Sequence, residues 1–229
     1  DALPIFATYS SGLYKRAKSD ASWRNISPPD SFERTIHADS PKRFRKISAF
    51  AVHPENTKRL AVAAKHALYF SSDGGLTWKE FSVPPQLRKH YFTAIAFSPA
   101  NDALLAGSSF GGMFIVQGNA MRPFSSGLPA EKYSATLDFF DECGVIAVSE
   151  KSNAHVAMHF SGAIYSLNSS SRQWKKRAQF DSPSLIHDIA EKESKLYASV
   201  NGLIVEILPD GETRFFHTLN ESIKSASNN

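Results

Sequence analysis

The amino-acid sequence predicts an all-β fold, a β-propeller of four-stranded antiparallel blades, about five in number. Three observations lead there. Each of the three tryptophans follows a tyrosine by nine residues, in the pairs Tyr14–Trp23, Tyr69–Trp78 and Tyr165–Trp174. The stretches around these pairs align without gaps at residues 5–27, 60–82 and 156–178, and weaker copies without the Trp lie at 104–126 and 196–218. Short alternating segments rich in β-branched and aromatic residues dominate, and no helical period is sustained. A self-similar unit of four short strands in roughly 35–50 residues has the size of a propeller blade.

Each copy follows one plan. IFATYSSGLYKRAKSDASWRNIS at 5–27 reads as an apolar strand, a small-residue turn, a second strand carrying an aromatic, a polar loop, and a third strand opened by Trp. Four copies are preceded by a further alternating strand, at 47–52, 92–97, 134–139 and 185–190. His53-Pro54-Glu55-Asn56 and Ser98-Pro99-Ala100-Asn101 stop the first two, because proline fixes φ and asparagine tolerates turn conformations. The units span about 1–29, 45–83, 90–127, 133–180 and 184–219 of a single domain, 1–229. The first unit lacks its inner strand. Either residues 220–229 supply it and close the ring, or they begin the next blade of a larger propeller.

Composition narrows the function classes. An apolar fraction of 42% against 21% charged residues is enough for a packed core. No apolar run approaches the roughly 18 residues of a membrane-spanning helix. The chain opens on Asp1 rather than Met, as a processed secreted chain, a trimmed chain or a fragment does. One cysteine, Cys143, makes neither an internal disulfide nor a thiolate metal cage. Its neighbours Asp141 and Glu142 disfavour a thiolate, so it reads as a turn or strand-end residue. A net charge of +4 suits an acidic partner but falls short of a nucleic-acid binder.

Residues 71–78, SSDGGLTW, carry the densest set of polar groups. Asp73 can accept backbone N–H bonds across a turn, Gly75 permits positive φ, and Ser71 and Thr77 can bond the same loop. A single carboxylate without partner ligands makes a poor calcium site. The stretch matches S-x-D-x-G-x-T-W at every specified position and so resembles the Asp box of BNR-repeat β-propellers. That group includes sialidase-like glycosidases, sortilin-like receptors and the photosystem II assembly factor group. The resemblance implies a structural role for Ser71, Asp73, Gly75, Thr77 and Trp78, with Trp78 covering the gap to a neighbouring blade. It places ligand sites on the opposite loop face. The expected setting, separately, is extracytoplasmic, secreted or periplasmic, although cysteine use leaves the compartment open.

On that opposite face the expected loops are 28–46, 83–91 and 125–133, with turns near 65–66 and 108–112. They gather Lys42, Arg43, Arg45, Lys46, Lys65, Arg88, Lys89 and His90, interleaved with Phe32, Phe44, Tyr91 and Phe110. Arginine and aromatic residues are favoured at binding surfaces, although solvated loops also carry lysine and arginine. The expected function is a non-catalytic binding or scaffold module for an acidic protein, a peptide or an anionic glycan. The alternative is a divergent carbohydrate-active enzyme with Asp138 and Asp188 lining a central channel. Hydrolysis usually needs two placed carboxylates. The sialidase signature Phe-Arg-x-Pro is absent, and Arg43-Phe44-Arg45-Lys46 does not match it. No catalytic triad, phosphate-binding glycine loop or zinc spacing is visible, so no catalytic residue, metal or cofactor is expected. His155 and His159 lack a visible third ligand.

Overall fold

The computed structural model of the chain describes residues 4–8, 12–16, 22–28, 32–33, 43–44, 47–64, 66–87, 91–98, 102–109, 112–129, 143–148, 154–158, 161–168, 170–181 and 186–217. Among these the first sheet is three-stranded: β1 (Ile5–Thr8), β2 (Gly12–Arg16) and β3 (Trp23–Asn25). A two-stranded ribbon follows, β4 (Phe32–Glu33) and β5 (Arg43–Phe44). The second sheet holds β6 (Ile47–Val52), β7 (Leu60–Ala64), β8 (Ala67–Ser71) and β9 (Lys79–Phe81). The third holds β10 (Phe92–Ser98), β11 (Ala103–Ser108), β12 (Met113–Gln117) and β13 (Ala120–Pro123). The fourth holds β14 (Cys143–Val148), β15 (Ala154–Met158), β16 (Ala163–Asn168) and β17 (Gln173–Gln179). The fifth holds β18 (Ile186–Lys192), β19 (Lys195–Val200), β20 (Leu203–Ile207) and β21 (Thr213–His217).

Every sheet keeps its strands in sequence order, so each is an up-and-down meander built from hairpins. The fourth sheet corrects the sequence reading. Its first strand is Cys143–Val148, not the alternating segment 134–139, which lies outside the described residues. Val145, Ile146, Ala147 and Val148 form an apolar, β-branched run that pairs with β15 across a short connection. Cys143 opens that strand.

In the second, third and fourth sheets the strand second in order is buried throughout. All five residues of β7, all six of β11 and all five of β15 are buried. Covered on both faces, these strands read as continuous runs of Ala, Val and Leu rather than as alternation. The last strands are polar: β3 is exposed throughout, and β17 exposes Lys175 and Lys176. Charge on an edge strand discourages edge-to-edge pairing. A bulge recurs where the first two strands of a sheet pair, at Ser48, Gly144 and His187. Such an extra residue bends the strand and sharpens its twist.

The chain divides into two compact units, Asp1–Ala106 with Val116–Met121, and Gly107–Ile115 with Arg122–Asn229. In the first, Leu13, Ile26, Ile47, Leu60, Val62 and Tyr69 form a core that joins the first and second sheets, with Trp78 packed against it. In the second, Ile164, Ile186, Ile189, Leu196, Val205 and Ile207 do the same for the fourth and fifth. Leu60 is 1% exposed and Leu76 is 63% exposed. Leu60→Ala is therefore expected to cost about 2–5 kcal/mol in urea denaturation, and Leu76→Ala less than about 0.5 kcal/mol.

Candidate functional site

The 71–78 turn joins β8 to β9, and its carboxylate is fully occupied by its own loop. Asp73 Oδ1 accepts the Ser71 hydroxyl at 2.8 Å and the amides of Leu76 and Thr77 at 3.0 and 2.9 Å. Its Oδ2 accepts the Thr77 hydroxyl at 2.5 Å. The Ser71 hydroxyl in turn accepts the Gly75 amide at 2.8 Å. The Thr77 hydroxyl, then the Thr77 amide and the Ser71 hydroxyl, hold the Asp73 carboxyl well below the usual carboxylate range. Gly75 has φ +91°, and a Cβ there would lie 2.9 Å from Ile26 side-chain atoms, so the turn presses directly on the preceding sheet.

Two tryptophans clasp neighbouring sheets in the same way. The Trp78 indole N–H donates to the Ile26 carbonyl at 2.8 Å, and the Trp174 indole N–H to the Phe124 carbonyl at 2.7 Å. Both acceptors sit just beyond the last strand of the preceding sheet, and the next residue is serine in each case. Ser27 Oγ accepts the Leu13 amide at 2.9 Å, and Ser125 Oγ accepts the Met113 amide at 2.8 Å. The repeat therefore preserves an acceptor, a serine tether and an indole together. Phe124 also meets the Trp174 ring edge-on, with centroids 5.9 Å apart. Trp174 is 2% exposed, whereas Trp23 is 46% exposed.

Of the basic loop face, Lys42, Arg45, Lys46, Lys65, Arg88, Lys89 and His90 lie outside the described residues, as does Phe110. Arg43 is in β5, with its backbone opposite Glu33, and Phe44 is opposite Phe32. What the structure does bring together is His66, in the β7–β8 turn, and Tyr91, immediately before β10. Their rings lie 4.2 Å apart, inclined by 35°. Tyr91 remains 45% exposed. Two loops of successive sheets thus meet at an aromatic joint, flanked in sequence by Lys65 and by Arg88, Lys89 and His90.

Two polar clusters escaped the sequence reading. His155 is buried in β15; its Nε2 faces Glu191 Oε2 at 2.9 Å and its Nδ1 the Ser166 hydroxyl at 2.8 Å. Burial pushes the imidazole pKa down, and Glu191 only partly opposes this. The ring is therefore neutral near pH 7, with Nε2–H donating to the carboxylate. His159, its suggested companion, lies outside the described residues, and among the described residues no three groups cluster as metal ligands. The second cluster joins His53, Arg59 and Asp102. His53 Nδ1 accepts the Glu55 amide at 3.2 Å, which leaves Nε2–H to donate to Asp102 at 3.1 Å. The Arg59 guanidinium also donates to Asp102, lies 5.7 Å from the Phe97 ring centre, and with His53 lowers the Asp102 pKa. The residue pairs are 36 and 49 apart, so no local signal reveals them. Asp188 is exposed on β18 and accepts the Ile189 amide, and Asp138 lies outside the described residues.

No family model matches the chain, and no curated protein matches it. Solved structures do. YCF48 bound to D1 peptide superposes with a TM-score of 0.63 at 11% identity, over 96% of this chain and 67% of that one. An ancestral GH74 enzyme gives a TM-score of 0.64 at 15% identity, over 94% of this chain and 29% of that one. Virginiamycin B lyase from Staphylococcus aureus gives 0.57 at 12% identity, over 93% of this chain and 68% of that one. The chain thus spans about two thirds of the YCF48 and lyase chains and under a third of the GH74 chain. At these identities the likeness shows the fold: the protein is an all-β β-propeller of four-stranded antiparallel blades. Its neighbours include a protein solved with a peptide and glycoside hydrolases, so the fold alone does not select a function.

Trp174→Phe keeps most of the ring but strands the Phe124 carbonyl, and is expected to cost about 1–3 kcal/mol in chemical denaturation. For His155 the sign follows from its lowered folded pKa. Its contribution to stability is complete above the ordinary value of 6.5 and is lost as pH falls from there toward the folded midpoint, because the unfolded chain takes up the proton first. Replacing Glu191 with Gln removes the opposing influence, so the His155 midpoint in an NMR titration is expected to move lower still.

Proposed function

We propose that the chain is a binding module that recognises an acidic protein or peptide through its basic loop face. The observation that carries this reading is the joint of His66 and exposed Tyr91, where two loops rich in lysine, arginine and histidine converge. An exposed aromatic held by a second ring is a preorganised contact surface, and such residues dominate interface energetics. The peptide in the YCF48 structure is a precedent for this fold serving a protein partner. An anionic glycan offers similar charge and is a competing ligand in the test. The 71–78 turn fits the same reading as an Asp box with a structural role: Asp73 spends its acceptor capacity on Ser71, Leu76 and Thr77. An extracytoplasmic setting, secreted or periplasmic, belongs to the same proposal.

Titration with Glu-rich peptides and a panel of sulfated and sialylated oligosaccharides tests it. Tyr91→Ala is expected to weaken peptide binding at least fivefold. Arg88→Glu with Lys89→Glu should weaken it further, with the largest effect at low salt, where exposed charges are least screened. Unchanged peptide affinity in both variants contradicts the reading. So does turnover of an oligosaccharide that is abolished by Asp188→Asn, which would place a hydrolase site on β18.

A further inference from the structure

The loop joining the last two strands of a sheet reaches back to the preceding sheet at three places. Residues 72–78 reach Ile26, through both Gly75 and the Trp78 indole. Trp174, just after the 169–172 loop, reaches the Phe124 carbonyl. Residues 208–212 reach Arg177: its guanidinium donates to the Pro209 carbonyl, and a Cβ on Gly211 would lie 2.6 Å from the Arg177 carbonyl. The third sheet breaks this pattern. Between β12 and β13 the connection shrinks to Gly118-Asn119, and no tryptophan follows. A Cβ on Gly118 would meet nothing within 4 Å.

The shortfall leaves an open cleft of about 410 Å³ lined by Phe70, Lys79, Glu80, Phe81, Ser82, Gly118 and Asn119. That volume lies within the roughly 300–1,000 Å³ of ligand pockets. The cleft also occupies a defined place in the repeat. Phe81 follows Trp78 by three residues, as Ile26 follows Trp23, and each is followed by a serine, Ser82 or Ser27. Ile26 is the residue whose carbonyl takes the Trp78 indole. The cleft is therefore the same slot one sheet later, without the indole that fills it elsewhere. Phe70 and Phe81 wall it with rings 6.2 Å apart and inclined by 66°.

We propose that this slot binds a tryptophan side chain from an extended partner peptide. The occupant is argued from what the molecule itself places at the equivalent positions, and from charge. Among the described residues β9 is the edge strand of its sheet, so an added strand can pair along it. Residues two apart share a face of a strand. Lys79 thus stands on the side of β9 that carries Phe81, and is exposed there. A peptide with Asp or Glu two residues from its Trp places a carboxylate against Lys79 while the indole packs against the paired phenylalanine rings. The slot is lined by β8, β9 and the 118–119 turn and includes neither His66 nor Tyr91, so it is a second contact rather than the loop-face site, and it stands or falls separately.

The test uses the whole chain and three probes: a capped heptapeptide with Asp two residues before Trp, the same peptide with that Trp replaced by Ala, and N-acetyltryptophanamide. Asn119→Trp, at an exposed turn position, fills the slot from within, and Lys79→Glu replaces the cation of the rim with a second carboxylate beside Glu80; circular dichroism checks that both fold. The Trp peptide is expected to bind the wild-type chain and shift the NMR signals of Phe81, Ser82 and Gly118. Asn119→Trp and Lys79→Glu should each weaken it at least tenfold, and the Ala peptide should not bind. The proposal is overturned if the Trp peptide does not bind at millimolar concentration, if it binds Asn119→Trp as well as wild type, or if N-acetyltryptophanamide binds as tightly as the peptide.

Discussion

The indole N–H bond from one sheet to the backbone carbonyl at the edge of the sheet before it is the contact on which the scaffold depends. A four-stranded meander cannot close a core alone. It needs its neighbour, and the neighbour has to be held in register. Trp78 and Trp174 supply both needs: a large apolar ring to cover the joint, and one directional bond to fix it. The serine beside each acceptor ties that edge into its own sheet, so the clasp grips a rigid point.

This constraint explains where the polar groups of the chain are used. Asp73, Ser71 and Thr77 look in isolation like chemistry, yet their hydrogen bonds close on each other and shape the loop that delivers Trp78. His155 and Glu191 satisfy one another within the unit formed by the fourth and fifth sheets, and His53, Arg59 and Asp102 do so in the other unit. Groups so engaged are poor candidates for binding a partner. In the reading proposed above, recognition falls to the loops, where function usually sits on a scaffold of this kind.

Much of the architecture was legible because the repeat is written in residues that pack. The nine-residue Tyr–Trp spacing reflects a strand, a loop and the return to the next strand, and it locates four-strand units directly. The bulges at Ser48, Gly144 and His187 were not legible, because each is the second residue of its strand and the shift in alternation it causes reaches only the single residue before it. The first strand of the fourth sheet was placed at 134–139 on its alternation, whereas the strand that pairs with β15 is the continuous apolar run 143–148, whose lack of alternation hid it. The site was less legible than the fold. Tyr91 was visible as one aromatic among basic residues, but its stacking on His66 depends on which loops the sheets bring together. The cleft beside Phe81 could not be read from any residue, since it follows from the shortness of the loop at 118–119.

Hydrogen–deuterium exchange of the tryptophan indole N–H groups, followed by NMR, tests the clasp most directly. The Trp78 and Trp174 indoles are expected to exchange orders of magnitude more slowly than free indole, with protection that approaches the global stability for Trp174, the more deeply buried of the two. Exchange of both at the rate of a solvent-exposed indole would show that the sheets are not held in this way.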